Sequence, residues 1–373
     1  MTDPQAGGMI VVVGLMSGTS LDGVDLCCAR FDTSKLEDFE ILAAETRPYP
    51  KAWRSRLKDA FQSGGVDSDR DLQDLLREYG EYLGDLVKDF IASRGIERVD
   101  LLCSHGHTIH HKPDEGVTTQ IGCGGRINEV TGIRTVSNFR EQDVVQYGGQ
   151  GAPLVPIGDA LLFKSHDVCL NLGGIANLSF HCKGEDKRLA FDIVPVTLVL
   201  NHFASKIDPK AEYDDGGAHA RAGKLNEALF RELNALSFYQ QKGPKSLGYE
   251  FVAGTILPML EDRDTDKVDG ALDARDVLRT FTEHIAHQIG RTLNATGLGD
   301  VLVTGGGAYN DYLLERLRAR TDLRVCVPDK DIVEYKEALI FGLLGVLRVR
   351  GINNCLASVT GARCDHYRGD VYG

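Results

Sequence analysis

Residues 10–30 read IVVVGLMSGTSLDGVDLCCAR: an apolar run, a turn of small polar residues, and from Val24 to Phe31 a second run that is again mostly apolar. Two apolar runs flanking a Gly/Ser/Thr stretch predict two strands joined by a loop. The loop holds Ser17, Gly18, Thr19, Ser20, Leu21, Asp22 and Gly23, followed by Val24. Its glycines let backbone amides approach an anion, its hydroxyls can donate to one, and Asp22 offers a carboxylate to a cation. This composition suits a phosphate cradle with Asp22 as metal ligand. An ordinary hairpin turn uses the same residue types, and that reading stays open on the loop alone. A P-loop is excluded because no Lys follows Gly18 or Gly23, and a dinucleotide fingerprint is excluded because a strand follows where a helix is required.

The chain's 373 residues are enough for two domains, each with its own core, and 42% hydrophobic with 26% charged is ordinary globular composition. Two α/β halves are expected, 1–150 and 151–373, with the option that the final helix packs back on the first half. A formal charge of −12 and no basic block argue against nucleic acid as a partner. The segment 1–8 has no basic region, and no apolar run approaches the roughly 18 residues of a membrane span. A cytoplasmic protein without membrane attachment is expected. Nine cysteines without a C-x-x-C pair fit reduced thiols better than disulfides or a zinc site.

Along the chain, apolar strands alternate with helical periodicity, notably over 51–62 and 69–93, as in α/β folds. The short strand 99–103 leads to Ser104-His105-Gly106-His107-Thr108-Ile109-His110-His111. This stretch reads as a polar substrate or structural loop, with a shared metal ion as the less favoured alternative. Arg140 and Asp143 stand close to the glycine-rich bend 148–153, which contains Gln150, and could grip a sugar or carboxylate; a solvated helix start followed by a domain hinge is the open alternative.

The second half repeats the pattern: a strand to Leu172, a turn at Gly173-Gly174-Ile-Ala-Asn177, a strand again, and then Leu189-Ala-Phe-Asp192. Two such halves would take a ligand in a cleft between them. Asp192 at the end of its strand is a candidate general base, or alternatively a helix cap. A long helix capped by Asp273 and ended near Gly297 delivers the chain to Thr304-Gly305-Gly306-Gly307, three glycines between strand and helix that suit adenosine or its phosphates. Glu337 is placed near the start of a last helix over 334–349.

The SGTSLDG hairpin, the NLGGIANLS hairpin and the TGGG turn together resemble the nucleotide site of the sugar kinase, heat-shock protein and actin superfamily. More narrowly, GLMSGTSLDGVD, SHGHTIHH, GGQGAPLVP, NLGGIANLS, PKSLG, TGGGAYN and KEAL, in this order, resemble anhydro-N-acetylmuramic acid kinases over nearly the whole chain. The resemblance implies two actin-like (ribonuclease H-like) domains around a central cleft for ATP and substrate. It implies ATP and Mg2+ as cofactors and an amino sugar as substrate, and a homodimer is the expected assembly. On this likeness Ser17 to Val24, Gly173, Gly174, Asn177 and Gly305 to Gly307 bind ATP. Asp192 and Glu337 are catalytic, His105, Arg140 and Gln150 bind the sugar, and Asp22 holds the metal. After Asp192 the family usually shows T-G-P-G-N, where this chain has Ile193-Val-Pro195-Val-Thr197. A kinase of a related sugar, or a nucleotide-binding regulator without turnover, are the alternatives.

Overall fold

The structure is a computed structural model that describes residues 8–18, 21–62, 69–185, 187–241, 243–261 and 272–373; Thr19 and Ser20, two of the expected ATP-binding residues, lie outside the described residues. The strands, in chain order, are β1 Met9–Met16, β2 Gly23–Asp32, β3 Phe39–Pro48, β4 Leu101–Ser104, β5 His107–Lys112, β6 Val117–Ile121, β7 Thr135–Ser137, β8 Val168–Leu172, β9 Ile175–His181, β10 Arg188–Pro195, β11 Asp300–Thr304, β12 Arg324–Cys326 and β13 Asp370–Tyr372.

Packing divides them between two compact units, residues 1–164 with 335–373, and residues 165–334. In the first unit the sheet order is β13-β7-β4-β1-β2-β3. Strands β1 to β3 form an antiparallel meander, and β4 and β7 continue it in parallel. Valines and leucines of β1 and β2 are fully buried with Tyr79, Leu83, Val87 and Phe90 of the helix Asp69–Ser93. The helix Lys330–Val349 covers the opposite side of β1 at very close range. A Cβ on Gly14 would collide with the Ala338 carbonyl oxygen, so only glycine fits there.

The second unit repeats the arrangement with the order β10-β9-β8-β11-β12: β8 to β10 antiparallel, β11 and β12 parallel. Its core gathers on the helix Ala274–Thr296, which buries Val277, Phe281, Ile285 and Ile289. That helix starts where its sequence says it should, with the Asp273 carboxylate accepting the Arg275 amide at 2.7 Å and Gly297 left-handed at its end.

Residues 335–373 belong to the first unit, where β13 pairs antiparallel with β7. Several elements differ from the sequence expectation. Residues 151–164 also pack with the first unit, where a Cβ on Gly158 would collide with Ile340. The histidine stretch is a strand of the hairpin β5–β6 in a sheet of its own. The last helix begins at Lys330, which places Glu337 about two turns in rather than at its start. No described helix is long and apolar enough to cross a membrane.

Candidate functional site

In the first unit the turn between β1 and β2 is held at both ends. Ser17 is 4% exposed. Its Oγ lies 2.5 Å from the Tyr49 hydroxyl and 2.8 Å from His107 Nδ1, and it accepts from the Tyr79 hydroxyl at 3.0 Å. On the far side the Tyr49 amide donates to the Asp22 carbonyl at 3.4 Å, and the Leu21 amide to the Gly18 carbonyl at 3.4 Å. Leu21 has φ of 59°, and with Asn138 it is one of two non-glycine residues in the left-handed region among those described. Asp22 is exposed, whereas Gly23 opens β2 and the Val24 side chain is fully buried in the core, so Val24 can offer a ligand only its backbone.

At the ends of β4 and β7 the polar groups interlock. Arg140 Nε donates to His105 Nε2 at 3.0 Å, which leaves the proton of a neutral imidazole on Nδ1 to meet the Gly106 carbonyl at 2.9 Å. Burial, and then the positive charge of Arg140, hold His105 well below the usual histidine range. Arg140 itself is drawn down to about 10 by burial and Arg368, with Glu337 opposing. Glu337 is pushed up by burial, against which Lys336 and Arg140 act and with which Asp25 and Asp159 act. His105, Arg140 and Glu337 therefore form one charge-coupled group, and Lys336 is anchored beside it by a buried ion pair with Asp159 at 3.1 Å. Gln150 does not join them: it is exposed, its side chain donates to Asp114 at 3.2 Å, and its amide donates to the Thr360 carbonyl. The neighbouring histidines take separate partners, His107 with Ser17 and His111 with Thr118.

In the second unit, register brings the polar residues into one row. Thr304, Asn171, Asn177 and Asp192 are successive ladder partners across β11, β8, β9 and β10. The carbonyls of Gly173 and Gly174 accept the amides of Thr197 and Val196, which closes the β8–β9 turn over the start of the helix Thr197–Ile207. Val194 and Val196 are fully buried in this unit's core.

Gly305, with φ of 83°, sits so close to Asn171 and Leu172 that a Cβ would collide with both, and a Cβ on Gly307 would lie 2.7 Å from Leu172 Cβ; Gly306 faces open space. Two glycines thus bring this turn against the β8–β9 hairpin, and the third leaves an unobstructed surface. Thr304 Oγ1 is buried there without a hydrogen-bond partner.

Asp192 is not a helix cap. It lies inside β10, which runs on to Pro195 with a bulge directly after Asp192, and the residue before the helix Thr197–Ile207 is Val196, with no side-chain cap. Its carboxylate accepts the Leu247 amide at 2.8 Å and the Ser246 hydroxyl at 3.2 Å, and its own amide donates to the Lys245 carbonyl at 2.9 Å. Burial raises its pKa above the usual carboxylate value, and the two hydrogen bonds oppose that rise. The loop PKSLG carried this information as a motif, yet its role as the cradle of Asp192 appears only in the folded chain.

In the second unit, a glycine turn that a side chain would fill and a raised, oriented carboxylate are of the chemistry that suits a phosphorylated nucleotide; in the first unit, the exposed Asp22 carboxylate is of the chemistry that suits a cation. Two units, each with an antiparallel meander continued by two parallel strands and each with a polar hairpin turn, define the actin-like (ribonuclease H-like) class. Within it, the chain belongs to the anhydro-N-acetylmuramic acid kinase family, whose model matches residues 10–373. It is 33% identical over 365 residues to the anhydro-N-acetylmuramic acid kinase of Shewanella amazonensis, covering 94% of this chain and 95% of that one. It is 34% identical over 380 residues to that of Gloeobacter violaceus (97% and 98% covered) and 36% identical over 324 residues to that of Acinetobacter baylyi (83% and 84% covered).

Proposed function

We propose that the protein converts 1,6-anhydro-N-acetylmuramic acid, ATP and water into N-acetylmuramic acid 6-phosphate and ADP, a step of peptidoglycan recycling. The observation that supports this most is the Asp192 carboxylate, oriented by Leu247 and Ser246 in the same polar row as Asn177 and raised toward base strength by burial. Asp192 takes a proton from the water that attacks the anomeric carbon. The C1–O6 bond breaks, and O6 receives the γ-phosphoryl group as ADP leaves. Glu337 assists as a second carboxylate whose proton affinity is raised by burial.

The amides of the turn 17–24 grip the phosphates, Gly173, Gly174 and Asn177 form the second grip, and Gly305 to Gly307 meet the nucleoside. His105 and Arg140 hold the sugar, with Gln150 at its periphery. Asp22 is the residue that would hold magnesium, which neutralises phosphate charge when bound. The enzyme acts as a homodimer in the cytoplasm. A reducing compartment suits a chain whose Cys27, Cys28, Cys103, Cys169 and Cys355 are buried, and light scattering tests the dimer.

The deciding experiment is a coupled ADP-release assay with magnesium and a panel of sugars. 1,6-Anhydro-N-acetylmuramic acid is expected to drive turnover. Release driven only by a different sugar overturns the substrate assignment, and nucleotide binding without release for any sugar overturns the catalytic one.

A further inference from the structure

The Ser17 hydroxyl stands in the middle of the expected phosphate grip, and a hydroxyl in such a turn is ordinarily counted as a ligand contact. Its surroundings point elsewhere. A hydroxyl oxygen bonded to carbon has one donor and two acceptor directions left. Ser17 Oγ has three neighbours at hydrogen-bond distance, Tyr49, Tyr79 and His107, and the Tyr49 and Tyr79 hydroxyls also meet each other at 2.5 Å. The three hydroxyls close a triangle, and the imidazole fills the remaining direction.

Burial raises the pKa of both phenols and lowers His107 to about 4, so all four groups are neutral at physiological pH. Tyr79 is fully buried, packed edge-on against Trp53 and beside Tyr82. The cluster is therefore a rigid part of the core, and Tyr49 also reaches the other limb of the turn through its amide on Asp22.

We infer that Ser17 Oγ is a saturated structural node with no hydrogen bond left for the nucleotide, and that Tyr49, Tyr79 and His107 are positioning residues that hold the phosphate-gripping turn through it. The inference rests on the proposed role of residues 17–24 in binding phosphate. In this arrangement Ser17 leaves recognition of the ligand to backbone groups and contributes by fixing the end of β1 from which the turn departs, while Tyr49 holds its far limb at Asp22. A turn held equally in ground and transition states acts on ATP affinity more than on turnover.

The test measures ATP affinity by calorimetry, kcat, and thermal stability for Ser17→Ala, Tyr49→Phe, Tyr79→Phe, Ser17→Thr and the double variant Ser17→Ala/Tyr79→Phe of the full chain. Each hydroxyl deletion is expected to weaken ATP binding about three- to ten-fold, the size of one or two neutral hydrogen bonds. The double variant should be no weaker than the poorer single one, since both remove the same node. Ser17→Thr, which keeps the hydroxyl, should lie closer to the parent. Additive losses, or a Ser17→Ala loss far beyond those of the tyrosine variants, would show a direct ligand contact and overturn the inference. So would tyrosine variants that melt lower yet bind ATP like the parent.

Gly18→Val separates this inference from the reading beneath it. If that variant binds ATP normally, the turn is not the phosphate site and both fail. If it loses ATP while the tyrosine variants do not, the node alone is wrong.

Discussion

Asn177 stands directly opposite Asp192 in the antiparallel ladder of β9 and β10, so both side chains leave the sheet on one face. Asn177 belongs to the glycine hairpin and Asp192 to the strand beside it, which places a candidate phosphate contact and a candidate base one strand spacing apart. Asp192→Asn keeps size and can still accept the Leu247 amide, but it cannot take a proton. Turnover is expected to fall by about two to four orders of magnitude while ATP affinity and melting temperature hold. Near-parental turnover would move the base to Glu337.

The same carboxylate sets a pH dependence. Because burial raises its proton affinity, Asp192 is protonated, and useless as a base, at a pH where an exposed Asp is still ionised. The acid limb of kcat/KM should therefore lie above the ordinary Asp range. It should be missing from the residual activity of Asp192→Asn, and a limb that persists unchanged in that variant belongs to another group.

Stability should fall on acidification through a different window. His107 has a folded value of about 4 against 6.5 for an unperturbed histidine, so between those values the unfolded chain binds more protons and unfolding is favoured as pH drops. The contribution is fully present above pH 6.5, and its loss reaches about 3 kcal/mol by pH 4. His284, drawn to about 3 by burial in the second unit, acts in the same direction. Urea titrations of His107→Gln across this range should show a flatter dependence than the parent, and an unchanged slope would mean that His107 titrates normally.

The glycine turn offers an internal comparison. Gly307→Ala forces a methyl group against Leu172 and should cost about 1–3 kcal/mol by thermal melting, as overpacking does. Gly306→Ala enters open space and should melt near the parent. A larger residue at 306 that keeps the melting temperature but loses nucleotide would assign the open face to the nucleoside; retained affinity would remove that role.

Lys336 and Asp159 are both almost fully buried, at 3.1 Å from each other. Lys336→Met leaves the carboxylate buried without this cation and should cost about 3–5 kcal/mol, most of it recovered in Lys336→Met/Asp159→Leu. Since Lys336 also holds Glu337 down, the single variant should raise the Glu337 value further. Urea unfolding of the two variants decides, and a double variant no better than the single would locate the damage outside this pair.

Legibility followed distance along the chain. The helices Lys51–Gln62 and Asp69–Ser93 fall where periodicity puts them, and the hairpin at Gly173-Gly174 is written in local turn chemistry. The environment of Asp192 is set by residues 54 and 55 positions away, and no local pattern encodes that. Ser17 likewise meets Tyr49, Tyr79 and His107 only once the first sheet has closed. Gln150 lies in a glycine bend, and sequence nearness does not decide its partner, Asp114, 36 positions away. The strand β13 has three residues and is defined by β7, not by any propensity of its own.

That short strand gives the chain a direction in time. The second unit is one uninterrupted stretch, 165–334, whereas the first is written in two instalments and lacks its outer strand until residue 372 has been added. During synthesis the inserted half has every residue of its own sheet before its host does. The earlier-made segment must wait, with β7 as an open edge, until residues 370–372 have been added.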